Sequence, residues 1–181
     1  MGHLSIHMAQ HLVVMNLLVP AGIYFLARHW SLSGIWRWWP WATAAQLALI
    51  WGWHAPAALG AAMANPPLTL LMHISLAASA AWFWASIAGM PRQERWRAAL
   101  ALLITGKLFC LLGALLVFAP NALFGPPASH PQEVLSGAGL ADQQMAGLVM
   151  LVACPLSYVT AGIVLAGRWF LSLDEDQGAH A

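Results

Sequence analysis

Five apolar stretches, each about as long as a bilayer is thick, fix what this chain can fold into. They lie near residues 3–27, 41–63, 67–89, 97–119 and 141–168, divided by Pro, Gly and charge. A hydrocarbon core of about 30 Å takes roughly 20 apolar residues of helix, and in that solvent a helix satisfies its own backbone hydrogen bonds. The expectation is an all-α polytopic transmembrane bundle of about five spans, one domain over 1–181. Only 7% of residues are charged and mean hydropathy is +0.70, outside the range of a water-soluble domain. No removable signal peptide is apparent: the first apolar run lacks a basic leader and is interrupted by histidines, so it reads as the first span.

The connections differ in charge. Arg28 and Arg37 lie between the first two spans, Arg92, Arg95 and Arg97 between the third and fourth, and Arg168 ends the fifth; the ANPP turn (64–67) and the 120–140 segment have neither Lys nor Arg. The positive-inside rule puts the Arg-bearing loops and the C-terminus in the cytoplasm and the N-terminus outside. Trp30, Trp36, Trp38, Trp39 and Trp41 form a belt of the kind that collects at headgroup level. A net charge of +1 without a basic block gives nucleic acid nothing to bind. Cys110 and Cys154 stand in apolar runs without a CxxC pattern and read as small core residues. The acidic tail Asp174-Glu175-Asp176 reads as a solvated end, as do the surroundings of His29, His130 and His180.

Ionisable groups inside a bilayer are costly, and each is a functional candidate with a partner to be named. His3, His7 and His11 are spaced i, i+4, i+8, which sets them on one helical face with about 40° of drift per step. At about 1.5 Å per residue, His7 and His11 lie roughly 6 and 12 Å below the outer end of the first span, His54 roughly 13 Å and His73 roughly 9 Å deep in theirs. Three helices of alternating direction thus bring His7, His11, His54 and His73 to one half of the bilayer, with Asp142 at the outer head of the fifth span. Neutral imidazoles in a dry pocket are ligands for copper or zinc, and thioethers favour Cu(I); Met8, Met72 and Met145 are near enough to contribute. Protonation of the ligands opposes binding, so affinity is expected to fall below about pH 6.5.

Other readings stay open at this point. The stripe serves equally as a polar seam between helices, the methionines as gap-filling core, and His54 as a partner for carbonyls freed by a bend at Pro56. Asp142-Gln143-Gln144 reads first as a cap on the head of the fifth helix and equally offers Asp142 as a metal ligand, one carboxylate oxygen capping while the other faces the site. His3, nearest the surface, is an entry ligand or a wet residue at the rim. Lys107, near the middle of the fourth span, is expected to face the bundle interior or a water-filled cavity.

HMAQH (7–11), WGWHAP (51–56), His73 followed by WFW (82–84), LLGALLVFAP (111–120) and LADQQMAGLVM (140–150) occur in this order. Together they resemble the CtaG family of cytochrome c oxidase assembly proteins, the membrane-embedded kind found with caa3-type oxidases, over residue 3 to about 170. The resemblance implies a multi-pass protein of the bacterial inner membrane that helps mature a haem-copper oxidase by handling copper, with no bond-making chemistry. The oxidase subunits, the bilayer and periplasmic copper carriers are its implied partners. It maps the family's His positions onto His7, His11, His54 and His73 and its acidic position onto Asp142. Against the family pattern the chain reads as a short form beginning at the HxxQH segment, with Thr69 and Met72 where a further His and an acidic residue are common. Rival functions are a haem-binding subunit with paired His ligands, a proton or metal transporter using Lys107, and a scaffold whose histidines only join helices.

Overall fold

The computed structural model describes residues 2–124 and 138–178. His130, His180 and most of the 120–140 segment lie outside the described residues. Among the described residues there is no strand, as a chain that must satisfy its backbone in lipid requires. The helices are α1 (His3–Val13), α2 (Val19–His29), α3 (Trp39–Trp53), α4 (Pro56–Ala64), α5 (Pro66–Ala88), α6 (Arg95–Phe118) and α7 (Ala138–Gly178). Four helices are long and apolar enough to cross a membrane, and α3 and α4 make a fifth span if the bent pair is counted as one. The fifth expected span, 141–168, is longer at both ends, and its continuation carries the backbone of Asp174, Glu175 and Asp176.

Two prolines shape the spans that carry the histidines. In the first span α1 passes into α2 through a π-helical turn, Val14–Leu18, in which the Val19 amide donates to the Val14 carbonyl. In that i+5 register the donor for the Met15 carbonyl is residue 20, which is Pro and has no N–H. Trp84 of α5 supplies the missing donor, its Nε1 lying 3.1 Å from the Met15 oxygen. In the second span Pro56 forces Ala55 into an extended conformation, and α3 and α4 meet at 73°. His54 occupies this corner.

The bundle is held by small residues and one aromatic cluster. α6 and α7 pack most extensively, α1 lies against α7, and α2 and α3 lie against α5. A Cβ placed on Gly147 would sit 2.6 Å from the Gly113 carbonyl oxygen and 2.7 Å from Val117, so the two backbones approach as only glycine permits. Gln143, fully buried, donates through Nε2 to the Leu116 carbonyl and accepts from the Leu123 amide, which ties the end of α6 to the head of α7. Farther along, buried Tyr158 stacks on Trp84, lies edge-on to Phe109 and accepts a hydrogen bond from Gln46. All six arginines stand toward the ends of spans. Trp30, Trp38 and Trp41 are exposed, whereas Trp36 and Trp39 pack partly against the core.

Candidate metal centre

The i, i+4 spacing on α1 aims His7 and His11 at the same point, and α5 brings His73 to it. The Nε2 atoms of His7 and His11 are 2.9 Å apart. One ring nitrogen from each of His7, His11 and His73 lies within 4.8 Å of the others. The His73 ring stacks on His11 at 4.6 Å and stands edge-on to His7 at 5.5 Å. Nitrogens about 2.0 Å from a shared ion stand about 3.3–3.5 Å from one another, a spacing reached here by shifts of an ångström or so. His7 and His11 are buried and His73 half-buried. A cleft of about 200 Å³ lined by His11, Val14, Met15, His73, Ile74 and Leu76 leads to them between the first and third spans.

Backbone carbonyls fix two of the tautomers. The Thr69 oxygen lies 2.7 Å from His73 Nδ1 and the Ile50 oxygen 2.6 Å from His54 Nδ1. A carbonyl only accepts, so both Nδ1 atoms carry the proton and both Nε2 atoms present a lone pair, the orientation that ligating imidazoles take from their outer partners. His54 Nε2 faces Met8 Sδ at 3.1 Å. Neither atom has a proton to share in a neutral imidazole, so two donors of electron density point at one another. The Ile50 carbonyl also accepts from the His54 amide at 3.1 Å, so His54 does not partner a carbonyl freed by the Pro56 bend; its other nitrogen is left beside the cluster, its ring 6.0 Å from that of His11.

The remaining candidates are placed elsewhere. Asp142 is one turn inside α7, because that helix starts at Ala138, and it caps α1 rather than its own helix. Its Oδ1 accepts from the Gly2 amide at 2.7 Å, the Ser5 hydroxyl at 2.5 Å and the Ser5 amide at 3.4 Å, and its Oδ2 accepts from the Leu4 amide at 2.8 Å. Both oxygens are thus engaged at the positive end of the helix that carries His7 and His11. His3 is exposed, Met145 is 43% exposed, and Met72 is fully buried. Lys107 is exposed between α6 and α7 instead of turning inward; neighbouring Gly106 takes the inward position against Tyr158.

Sequence reasoning missed a second set of soft atoms beneath the histidines. A cavity of about 10 Å³, room for a single small species, is lined by Met8, Met15, His54, Met150 and Cys154 among others. Asn16 donates to Cys154 Sγ at 3.9 Å while its own Oδ1 has no partner. The recurrence of Met150 and Cys154 at i, i+4 was the available signal. Ser5, which shares the Asp142 cap, was foreshadowed only by lying two residues from each of His3 and His7.

The fold and this cluster define a class: polytopic helical membrane proteins that gather imidazoles in one half of the bundle. Within it, the family model for the cytochrome c oxidase caa3 assembly factor (Caa3_CtaG) matches residues 1–172, and the chain belongs to that family. No curated protein and no solved structure matches it.

Proposed function

We propose that this assembly factor receives Cu(I) at His7, His11 and His73 and hands it on during maturation of the oxidase. The observation that carries the reading is the convergence of three imidazoles from two helices within 4.8 Å, with His54 and Met8 alongside. Soft, low-coordinate Cu(I) passes between His and thioether ligands by exchange, without release into water. His54 and Met8 supply the next ligands after the three imidazoles, and the Met15, Met150 and Cys154 cavity lies beyond them. The copper is cargo, and no bond in a substrate is made or broken.

The position of the arginines supports an orientation with the N-terminus and the cluster outside and the C-terminus in the cytoplasm of the bacterial inner membrane, where periplasmic copper carriers have access. The aromatic packing of Tyr158, Trp84, Phe83 and Phe109 favours a site served from one side over a path through the bundle. The ring centroids of His7, His11 and His73, 4.3–5.5 Å apart, are too close for a haem plane between any two of them. The rival His11–His54 pairing, 6.0 Å apart, is tested by the optical spectrum of the purified protein, where a stoichiometric Soret band would end the copper reading.

The test is the metal content of the oxidase. Oxidase purified from cells in which this protein carries His7→Ala or His11→Ala, at unchanged abundance in the membrane, is expected to hold less than its full copper, whereas His29→Ala is expected to leave it full. Fully metallated oxidase from the His7 and His11 variants would contradict the proposal.

A further inference from the structure

Lys107 has no use in the copper reading and sits where a charge is expensive. It stands near the middle of the Arg92–Phe118 span. Either end is roughly 16 Å or more away at 1.5 Å per residue, beyond the roughly 6 Å reach of a snorkelling lysine stem. It is exposed in a row of exposed apolar side chains, Leu100, Leu103, Ile104, Leu111 and Leu115, that face the lipid. Among the described residues it has neither an ion-pair nor a hydrogen-bond partner. A cation at that depth on a lipid-facing surface costs at least about 3 kcal/mol unless something neutralises it.

Beside Lys107 runs an apolar groove of about 440 Å³ between α6 and α7, lined by Leu103, Gly106, Cys110, Val159 and Gly162 among others. A Cβ on Gly162 would meet nothing within 4 Å, so the groove floor is open to a partner's backbone. Small residues along such a groove are what lets two spanning helices approach closely. We infer that this groove receives a transmembrane helix of another protein, one that carries an Asp or Glu at mid-bilayer depth to pair with Lys107.

Charge decides among occupants. The six acidic residues of this chain are Glu94, Glu133, Asp142, Asp174, Glu175 and Asp176. Glu94 pairs with Arg97 at the start of α6, Asp142 caps α1, Glu133 lies in the 120–140 segment, and the last three follow Arg168. None lies in the middle of a span, so a second copy brings no carboxylate to the depth of Lys107. A lipid phosphate is at the surface, out of reach. A partner helix with its own buried carboxylate satisfies both sides, because in lipid a lone charge is costlier than a charge with an opposite partner, whose attraction offsets part of the desolvation.

The experiment uses the full chain in its native membrane with a photoreactive phenylalanine derivative in place of Val159 or Ile163, on the lip of the groove. The expected result is a cross-link to a spanning peptide of a different protein that contains Asp or Glu. Its yield is expected to fall about tenfold with Lys107→Leu and with the partner's carboxylate changed to its amide, and to persist with Lys107→Arg. Copper content of the chain should be the same in all these variants, so failure here is separable from failure of the copper reading. Where Lys107→Leu lowers the amount of protein in the membrane, Gly162→Leu, which fills the groove, takes its place with the same expected loss. Cross-links only to lipid, to a second copy, or to a peptide without an acidic residue overturn the inference, as does a yield indifferent to both substitutions.

Discussion

At the scale of single residues, the proposed ligands differ from the groups that hold them. Thr69 and Ile50 fix His73 and His54 through Nδ1, and Asp142 anchors the α1 terminus without facing the three imidazoles. Changing Asp142 to Ala is therefore expected to cost about 1–2 kcal/mol of stability through the lost cap, seen as a lower unfolding temperature. The stoichiometry of bound Cu(I) should remain intact; a loss of one copper per chain at unchanged stability would make the carboxylate a ligand instead. The pH dependence has one sign. Copper binds the neutral imidazole, so a proton competes for every ligand nitrogen and affinity falls as pH falls. A Cu(I) affinity measured from pH 8 to pH 3 should stay level while the imidazoles are neutral and fall once they protonate; an affinity unchanged down to pH 3 would remove imidazole from the site. The His7 and His11 pairing is legible in the sequence because i, i+4 spacing alone fixes a shared helical face. The Asp142 contact is not, since it joins residues 138 positions apart and depends on the rotation of α7 relative to α1.

At the scale of elements, each departure from a straight helix has a local cause and a measurable consequence. Trp84 replaces the donor that Pro20 lacks at the Met15 carbonyl. Trp84→Phe should cost about 1–3 kcal/mol by leaving that carbonyl unpaired. Combined with Pro20→Ala, which restores a backbone N–H, the cost of the Trp84 change should shrink, and a double-mutant cycle of unfolding free energies reads the difference. Additive losses would mean that Trp84 contributes only packing. Gly147→Val should destabilise the α6–α7 contact by about 2–3 kcal/mol, because its Cβ has no space against Gly113 and Val117; unchanged thermal stability would contradict that approach. Four spans were legible from length and hydropathy, and the bend between α3 and α4 from Pro56. The π turn was not, since Pro20 signals a fault in the helix but not which register absorbs it. For Lys107, polarity argues for the interior or a cavity, and the smallness of Gly106 decides which neighbour turns inward against Tyr158, leaving Lys107 on the α6–α7 cavity.

At the scale of the whole molecule, the bundle has a histidine-rich half and a half closed by aromatic packing, with arginines toward the ends of its spans. This asymmetry is what a protein needs to exchange an ion on one face without opening a path through the membrane. It predicts that cysteine introduced at position 3 reacts with a membrane-impermeant thiol reagent in intact cells, and that one at Ser33 reacts only after permeabilisation. The reverse pattern would invert the proposed orientation. The central claim is that His7, His11 and His73 make one Cu(I) site. It is tested most directly by titrating the purified, reduced protein with Cu(I) against a competing chelator, in the wild type and in a variant with all three changed to Ala. The account predicts one tightly bound Cu(I) per wild-type chain attributable to these residues, and its loss in the variant despite an unchanged helical spectrum. Equal affinity and stoichiometry in the two proteins would contradict it.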